Sequence, residues 1–297
     1  MTGGFDLAPE PGQRRFVLDP DRLFRIVERM DGLFRDDPNR RLGLALHSLR
    51  AVPPGPLRES LAEQRRRDPA APVHIHVAEQ TGEVESCQAT RGRRPVEELM
   101  TLAEPGPHWC LVHATHLTDA ELAAVTGSGA VVGLCPSTEA DLGDGLFRLA
   151  DFLAAGGRFG IGSDSNVCRD PFAELRLLEY GQRLAHRRRM VGASRQDPHC
   201  GASLYRRAMA GGAQATGRPV GRLAPGFRAD LVVLDDEHPG LVGRDGDLLL
   251  DSLVFGGVTD VVKHVMVGGV WRLRDGAHPA EAAIEQAWRR AMARLMA

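Results

Sequence analysis

The sequence has almost no net charge. Its 297 residues include 37 lysines and arginines against 39 aspartates and glutamates, which leaves a formal charge of −2 at pH 7. A chain so evenly balanced has no long-range field that would attract nucleic acid or an anionic membrane surface. We therefore expect neither as a partner, and we favour a small-molecule substrate.

Cysteine is scarce, and its spacing fits neither a zinc finger nor a disulfide framework. The five cysteines are Cys87, Cys110, Cys135, Cys168 and Cys200, and no CxxC occurs among them. An odd number of dispersed cysteines is typical of a protein in a reducing compartment. The predicted location is the cytoplasm.

Long apolar runs are missing as well. No stretch reaches about 18 uninterrupted apolar residues, the length that a membrane helix needs. Residues 2–16 have neither the charged segment nor the apolar segment of a secretory signal. We expect a chain that is neither secreted nor membrane-spanning.

What the sequence does contain is a regular alternation of short apolar strands and amphipathic helices. Strands and helices that alternate regularly along the chain predict a parallel sheet whose two faces are covered by helices. The predicted strands of this sheet cover residues 41–48, 73–79, 109–115, 130–137 and 158–165.

Polar residues gather where these strands end, at His47, Glu79, His113, Ser137 and Asp164. A TIM barrel places its active site at the carboxyl ends of its strands. An open dinucleotide-binding sheet follows a similar rule, but no GxGxxG follows any of the strands. The predicted fold is therefore α/β and TIM-barrel-like.

The predicted barrel is incomplete, with about five of its eight strands. We expect a chain that lacks the front of the barrel, because the first 20 residues offer no convincing strand. Three parts are predicted: a partial catalytic barrel at 1–217, a small β-sandwich part at 218–276 with short strands that include residues 248–257, and a C-terminal helix at 277–297.

One strand carries two histidines on a single face. In VHIHVAE, residues 73–79, side chains alternate between faces, so His74 and His76 lie opposite Val73, Ile75 and Val77. A hydrogen-bonded pair of core histidines is one interpretation of this pattern. The other is a metal site, because His and Asp ligands with a nearby Glu to move protons are what a zinc hydrolase requires.

Several segments carry a resemblance to a known family. LALHSLRAVP at 44–53, HIHVAEQ at 74–80, LVHATHLT at 111–118, GLCPSTEADLGDG at 133–145, GIGSDSNVCRD from 160 and GRLAPGFRADLVVLD at 221–235 occur in the family's order. The chain resembles the amidohydrolase superfamily and, within it, the formimidoylglutamate deiminases. The resemblance implies a metal-dependent barrel enzyme that contains Zn²⁺, one ion per active site, and that forms a homodimer.

The resemblance also implies roles for individual residues. His76 and Asp164 would hold the metal, and Asp164 would also take a proton from the attacking water. Glu79 would pass a proton to the departing nitrogen, and His113 would position hydroxide or substrate. His47 and Arg50 would bind a substrate carboxylate, although an arginine at a helix start is also a common surface residue.

One part of the family pattern is missing. Such enzymes hold their metal with a further His-x-His pair at the end of the first barrel strand, and no such pair precedes His47. An alternative is that His74 and His76 are this pair, but Glu79 stands at the spacing of the later His-x-x-Glu motif. Two of four expected metal ligands are therefore absent.

Three hypotheses for function follow. The first is deimination of N-formimidoyl-L-glutamate to N-formyl-L-glutamate and ammonia in histidine breakdown. The second keeps the zinc chemistry but changes the substrate to a ring amidine such as a purine. The third is that the chain by itself is an inactive, truncated product that folds poorly or needs a partner.

Overall fold

The computed structural model describes residues 3–34, 36–165 and 168–296. The chain forms two compact units, Met1–Arg218 and Pro219–Ala297. Asn166 and Val167, which belong to the motif that begins at residue 160, lie outside the described residues. None of the described helices combines the length and the apolar content that a membrane span needs.

The first unit is built on a parallel sheet whose five strands lie side by side in sequence order. This order is that of a barrel wall, whereas an open dinucleotide-binding sheet reverses its order partway. The described residues do not close the barrel. The strands are β1 (Leu44–Ser48), β2 (Val73–Val77), β3 (Trp109–His113), β4 (Val131–Leu134) and β5 (Arg158–Ile161).

Helices follow the strands as the alternation predicts. A short 3-10 helix at Pro11–Phe16 precedes the first α-helix. The α-helices of this unit are α1 (Pro20–Phe34), α2 (Pro54–Arg67), α3 (Thr81–Arg91), α4 (Pro95–Leu102), α5 (Asp119–Ser128), α6 (Pro136–Leu142), α7 (Leu149–Ala154), α8 (Pro171–His186) and α9 (Cys200–Thr216). All five strands occupy the ranges that the sequence predicts, to within a few residues at each end.

The two faces of the sheet differ in burial. In β2, Val73, Ile75 and Val77 are buried, whereas His74 and His76 are only half-buried. This is the alternation that the sequence predicts, with the apolar face under the helices. The opposite face of β2 carries His74 and His76, and His74 contacts α9 from this face.

The second unit contains a small antiparallel sheet of three strands. Its elements are β6 (Leu231–Leu234), α10 (Gly246–Phe255), β7 (Val262–Val267), β8 (Val270–Leu273) and α11 (Glu281–Leu295). The strand predicted within 248–257 is wrong, because these residues form most of α10. Leu249, Leu250, Leu253 and Val254 are less exposed than Leu248, and their spacing of one and four residues is helical rather than alternating.

Helix α9 lies unusually close to strand β5, and glycine permits this approach. A Cβ added at Gly211 would lie 1.9 Å from the carbonyl oxygen of Phe159, which is a backbone atom that cannot rotate away. A Cβ added at the neighbouring Gly212 would meet nothing within 4 Å. Only the first of these glycines is required by the contact.

This difference predicts opposite effects for two neighbouring substitutions. Gly211→Ala forces the helix away from the strand and lowers the free energy of unfolding by about 1–3 kcal/mol. Gly212→Ala leaves it unchanged or raises it by about 0.5–1 kcal/mol, because alanine favours helix. Urea unfolding followed by circular dichroism measures both, and equal effects of the two variants would contradict the close approach.

Candidate active site

Three imidazole rings form a row across three neighbouring strands. Because Ser48 pairs with His76 and Val77 pairs with His113, the ends of β1, β2 and β3 are level. The ring centroids of His47 and His76 are 5.4 Å apart, and those of His76 and His113 are 5.5 Å apart. The predicted histidines therefore meet at one edge of the sheet.

His113 is the centre of this edge. Its side chain is fully buried, and its Nε2 lies 3.6 Å from Glu79 Oε1 and 3.6 Å from Asp164 Oδ2. Three of the residues predicted from sequence thus come together, from the end of β3 and from the segments after β2 and β5. No hydrogen-bond partner for His113 Nε2 exists among the described residues.

Hydrogen bonds fix which ring nitrogens carry protons. His76 Nδ1 lies 2.7 Å from the carbonyl oxygen of His47, and because a carbonyl only accepts, Nδ1–H donates and Nε2 keeps its lone pair. His74 is different, since its Nε2 donates to the carbonyl oxygen of Ala215 in α9 at 2.8 Å. His74 joins the sheet to a helix, whereas His76 offers a free nitrogen.

Arg50 and His47 lie at the same edge. Arg50 is half-buried just beyond β1, and its carbonyl oxygen accepts a hydrogen bond of 2.7 Å from the Phe5 amide. Burial, the neighbouring His76 and the positive charge of Arg50 together lower the pKa of His47. A neutral His47 is therefore favoured, and its Nδ1 is 2.9 Å from Ser48 Oγ.

A buried carboxylate that the sequence analysis missed supports His113 from the other side. Glu139 in α6 is 4% exposed, and its Oε1 lies 3.2 Å from His113 Nδ1 and accepts the Cys135 amide at 2.9 Å. Burial lowers the pKa of His113, but the hydrogen bond to Glu139 and the charges of Glu79, Glu139 and Asp164 outweigh it and raise the pKa. The sequence signal that could have identified Glu139 is its position in the first turn of a helix that directly follows a strand.

Cys135 is a second residue that the sequence analysis missed. Its Sγ, a ring nitrogen of His113 and a carboxylate oxygen of Asp164 all lie within 4.8 Å of one another. The three residues are too far apart in sequence for any spacing rule to group them. Only the fold brings the thiol to this edge.

Backbone strain concentrates at the same place. Ala78, His113, Ala114 and Asp164 have φ of 51°, 67°, 48° and 39°, in the left-handed region that non-glycine residues rarely adopt. Each such residue costs on the order of 1–3 kcal/mol and persists where the surrounding structure enforces it. Backbone strain at the strand ends where imidazole and carboxylate side chains meet is typical of a functional site.

The available donors fit a divalent metal ion. His113 Nε2 has no hydrogen-bond partner among the described residues, His76 Nε2 keeps its lone pair, and Asp164 and Glu79 place carboxylates 3.6 Å from His113 Nε2. Zinc prefers nitrogen, sulfur and carboxylate ligands of this kind. An acidic, partly buried cluster with open nitrogens is more easily explained by a cation than by hydrogen bonds alone.

Comparison with known proteins agrees with this geometry. The model of the amidohydrolase family matches residues 23–272. The chain belongs to the amidohydrolase family. A formimidoylglutamate deiminase from Pseudomonas aeruginosa is 49% identical over 270 residues, which are 91% of this chain. A 5-methylthioadenosine/S-adenosylhomocysteine deaminase from Nitratidesulfovibrio vulgaris is 31% identical over 87% of this chain.

Solved structures of this amidohydrolase fold extend the comparison. An amidohydrolase from Brucella melitensis matches 100% of the chain with a TM-score of 0.92 and 45% identity. An adenosine deaminase from Xanthomonas campestris with bound zinc has a TM-score of 0.82 over 93% of the chain at 24% identity, which shows a shared fold. The predicted TIM-barrel-like class is confirmed.

The amidohydrolase chain described here is shorter than its relatives. It spans 59% of the length of the Pseudomonas deiminase, 57% of the Nitratidesulfovibrio deaminase and 64% of the Brucella chain.

The role of Glu139 predicts a stability effect. Glu139→Ala leaves the buried Cys135 amide and His113 Nδ1–H without an acceptor, so the free energy of unfolding falls by about 1–3 kcal/mol. Glu139→Gln keeps an oxygen in place and has a smaller effect, and Asp141→Ala on the exposed face of α6 changes stability by less than about 0.5 kcal/mol. Urea unfolding midpoints give the comparison, and an unaffected Glu139→Ala variant would show that the carboxylate is dispensable.

Proposed function

We propose that this chain carries catalytic residues for the hydrolysis of N-formimidoyl-L-glutamate to N-formyl-L-glutamate and ammonia. The observation that carries the proposal is the 49% identity over 270 residues with the Pseudomonas formimidoylglutamate deiminase. Identity to the adenosine-type deaminase from Nitratidesulfovibrio is lower, at 31%. The reaction replaces the terminal nitrogen of a linear amidine with the oxygen of water.

The proposed metal ligands are His76 and Asp164, with one zinc ion per site. Support comes from the open Nε2 of His76 and from the place of Asp164 beside the buried His113. A bound zinc ion would lower the pKa of a water molecule to about 7 and so supply hydroxide at neutral pH.

The proposed proton transfers use two carboxylates that face the same imidazole. Asp164 takes a proton from the attacking water, and Glu79 delivers a proton to the nitrogen that leaves as ammonia. Each has a carboxylate oxygen 3.6 Å from His113 Nε2, so both carboxylates face the same nitrogen of a buried ring. His113 holds the water and the substrate carbon in position.

Arg50 and His47 are the proposed substrate-binding residues. A guanidinium can pair with a carboxylate through two parallel hydrogen bonds, and formimidoylglutamate has two carboxylates to offer. Support comes from the position of Arg50 just beyond β1, at the same edge of the sheet as His47.

Two other functions remain as alternatives with their own support. The relative from Nitratidesulfovibrio favours a ring amidine as substrate, and such a ring has no carboxylate for Arg50. The coverage of 59% of the Pseudomonas deiminase favours a chain that is inactive without further barrel strands.

The remaining proposals concern the setting of the site. We assign the chemistry to residues 1–217, with a β-sandwich part at 218–276 and a C-terminal helix at 277–297. We propose a homodimer and a cytoplasmic location, and the latter is supported by the five free cysteines, four of them buried.

The first test is ammonia release by the purified chain supplied with zinc. We expect ammonia from N-formimidoyl-L-glutamate, and none from the Glu79→Gln variant, because the departing nitrogen then has no proton donor. Ammonia from 5′-methylthioadenosine instead would favour the ring-amidine alternative. Release from neither substrate by a zinc-loaded chain would favour the inactive chain.

Arg50 is tested by binding, which needs no turnover. A charged hydrogen bond contributes about 1.5–3 kcal/mol, so Arg50→Ala should weaken the binding of N-formyl-L-glutamate by about 10- to 150-fold. Arg58→Ala, on the exposed surface of α2, is the matched control and should bind as the wild type does. An NMR titration gives both dissociation constants, and equal values for Arg50→Ala and wild type would remove Arg50 from the site.

A further inference from the structure

Helix α11 carries an apolar stripe that the described residues leave open to solvent. Ile284, Trp288, Met292 and Leu295 follow one another at spacings of four, four and three residues, which places them on one face of the helix. These four side chains form the α11 stripe, and they are between 36% and 77% exposed. In a folded protein such a face normally packs against another element. The stripe therefore needs an occupant that the described part of the chain does not supply.

One edge of the α11 stripe is charged, with acidic and basic residues at opposite ends. Glu281, Glu285 and Arg289 each lie three residues before a member of the stripe, so they border it on the same side. The other arginines of the helix, Arg290 and Arg294, also lie in its second half. In an antiparallel pair of α11 helices this edge meets itself in reverse order, so Arg289 of one copy approaches the acidic residues of the other. A parallel pair would bring residues of the same charge level with one another, so α11 is complementary to an inverted copy of itself.

An ion pair within the helix leaves these charges available to a second copy. A guanidinium nitrogen of Arg289 lies 2.5 Å from a carboxylate oxygen of Glu285, and the two side chains are 69% and 55% exposed. A pair at this exposure adds little stability, so it can rearrange when another helix approaches. Complementary charges at the edge would then set the orientation of the two helices, while the apolar stripe supplies most of the affinity.

We propose that α11 is the docking surface for a second copy of this chain, with the two α11 helices packed antiparallel through the stripe. The homodimer proposed above rests on the family resemblance and has no assigned surface. This inference names the surface, and it depends on that proposal only for the number of copies. It requires neither deiminase activity nor a metal ion.

Trp288 is the anchor of this contact, and the length of the helix limits its strength. Tryptophan is among the residues that carry most of the binding energy at protein interfaces, and Trp288 lies inside the stripe rather than at its end. The helix has 15 residues and is therefore about 22 Å long. Two helices of this length bury less than the roughly 1,200–2,000 Å² of a stable complex. The dimer is therefore weak and forms as the concentration of the chain rises through the micromolar range.

Sedimentation equilibrium of the purified chain over a range of concentrations tests the proposal. We expect the weight-average mass of the wild type to rise from 32.2 kDa towards twice this value. Trp288→Glu places a charge in the stripe and should weaken dimerisation by at least about tenfold. Gln286→Glu, the matched control, adds the same charge on the opposite, exposed face of α11 and should leave the dissociation constant unchanged. Ile284→Glu gives a second variant in the stripe, and circular dichroism confirms that each variant is folded.

Exchanged charges test the complementarity of the edge. Arg289→Glu makes this edge wholly acidic, whereas Glu281→Arg combined with Glu285→Arg makes it wholly basic. Each of these chains alone should dimerise more weakly than the wild type, because like charges then face each other. An equimolar mixture of the two should recover the dimer. A mixture that dimerises no better than either chain alone would contradict the pairing of charges.

Three further outcomes overturn the proposal. A wild type that stays at 32.2 kDa at every concentration forms no such dimer. A dimer that Trp288→Glu leaves unchanged, or that Gln286→Glu weakens equally, forms through another surface, and the proposed homodimer then stands without α11. A monomer that instead sediments with vesicles of phosphatidylcholine and phosphatidylserine, and loses this binding in Trp288→Glu, would assign the stripe to a lipid surface. Neither substrate nor metal is present, so a failed ammonia assay has no bearing on the result.

Discussion

The parallel register of β1, β2 and β3 is the constraint on which the site depends. The ring centroids are 5.4 and 5.5 Å apart, close to the separation of about 4.7–4.9 Å between neighbouring strands, so the level strand ends bring the three rings side by side. A slip of one residue in β2 would turn His76 to the face that Ile75 now occupies and Ile75 toward the site. The buried face of β2 prevents that slip. Ile75 is 1% exposed, and moving it out of the core would lose the free energy of its burial.

The charged groups around His113 determine the protonation of its ring and the kind of ligand that the site favours. Burial by itself favours a neutral ring, yet three carboxylates reverse the effect and raise its pKa. Glu139 takes one ring nitrogen, while Glu79 and Asp164 face the other at 3.6 Å. An arrangement with more acidic groups than basic ones, at a partly buried edge, favours a bound cation or a substrate with a cationic amidinium. The deimination proposed above draws on this same excess of negative charge.

Much of this could be predicted from the sequence, because two periodic signals were strong. Short apolar runs that alternate with amphipathic helices located the five strands, and the carboxyl-end rule brought Glu79, His113 and Asp164 together. The strand predicted within 248–257 failed because glycine and aspartate turn signals on either side concealed a helical spacing of leucines. Glu139 and Cys135 were missed for a different reason. Both lie in segment 133–145, which carries the resemblance, but only the fold brings them close to His113. Contacts between segments distant in sequence have no one-dimensional signature.

The strained residues show what the site requires of the backbone. Glycine would adopt φ of 67° or 39° without strain, but at His113 and Asp164 it would remove the ring and the carboxylate that face each other. Ala78 and Ala114 carry only a Cβ, and hydrogen bonds hold them, from the Ala114 amide to the Val77 carbonyl at 3.0 Å and from the His116 amide to the Ala78 carbonyl at 3.1 Å. The chain thus leaves β2 and β3 through tight left-handed turns that keep His113 in the core. Two of the four strained residues, His113 and Asp164, carry the ring and the carboxylate that meet at the site, and strain held at such positions is typical of a functional site.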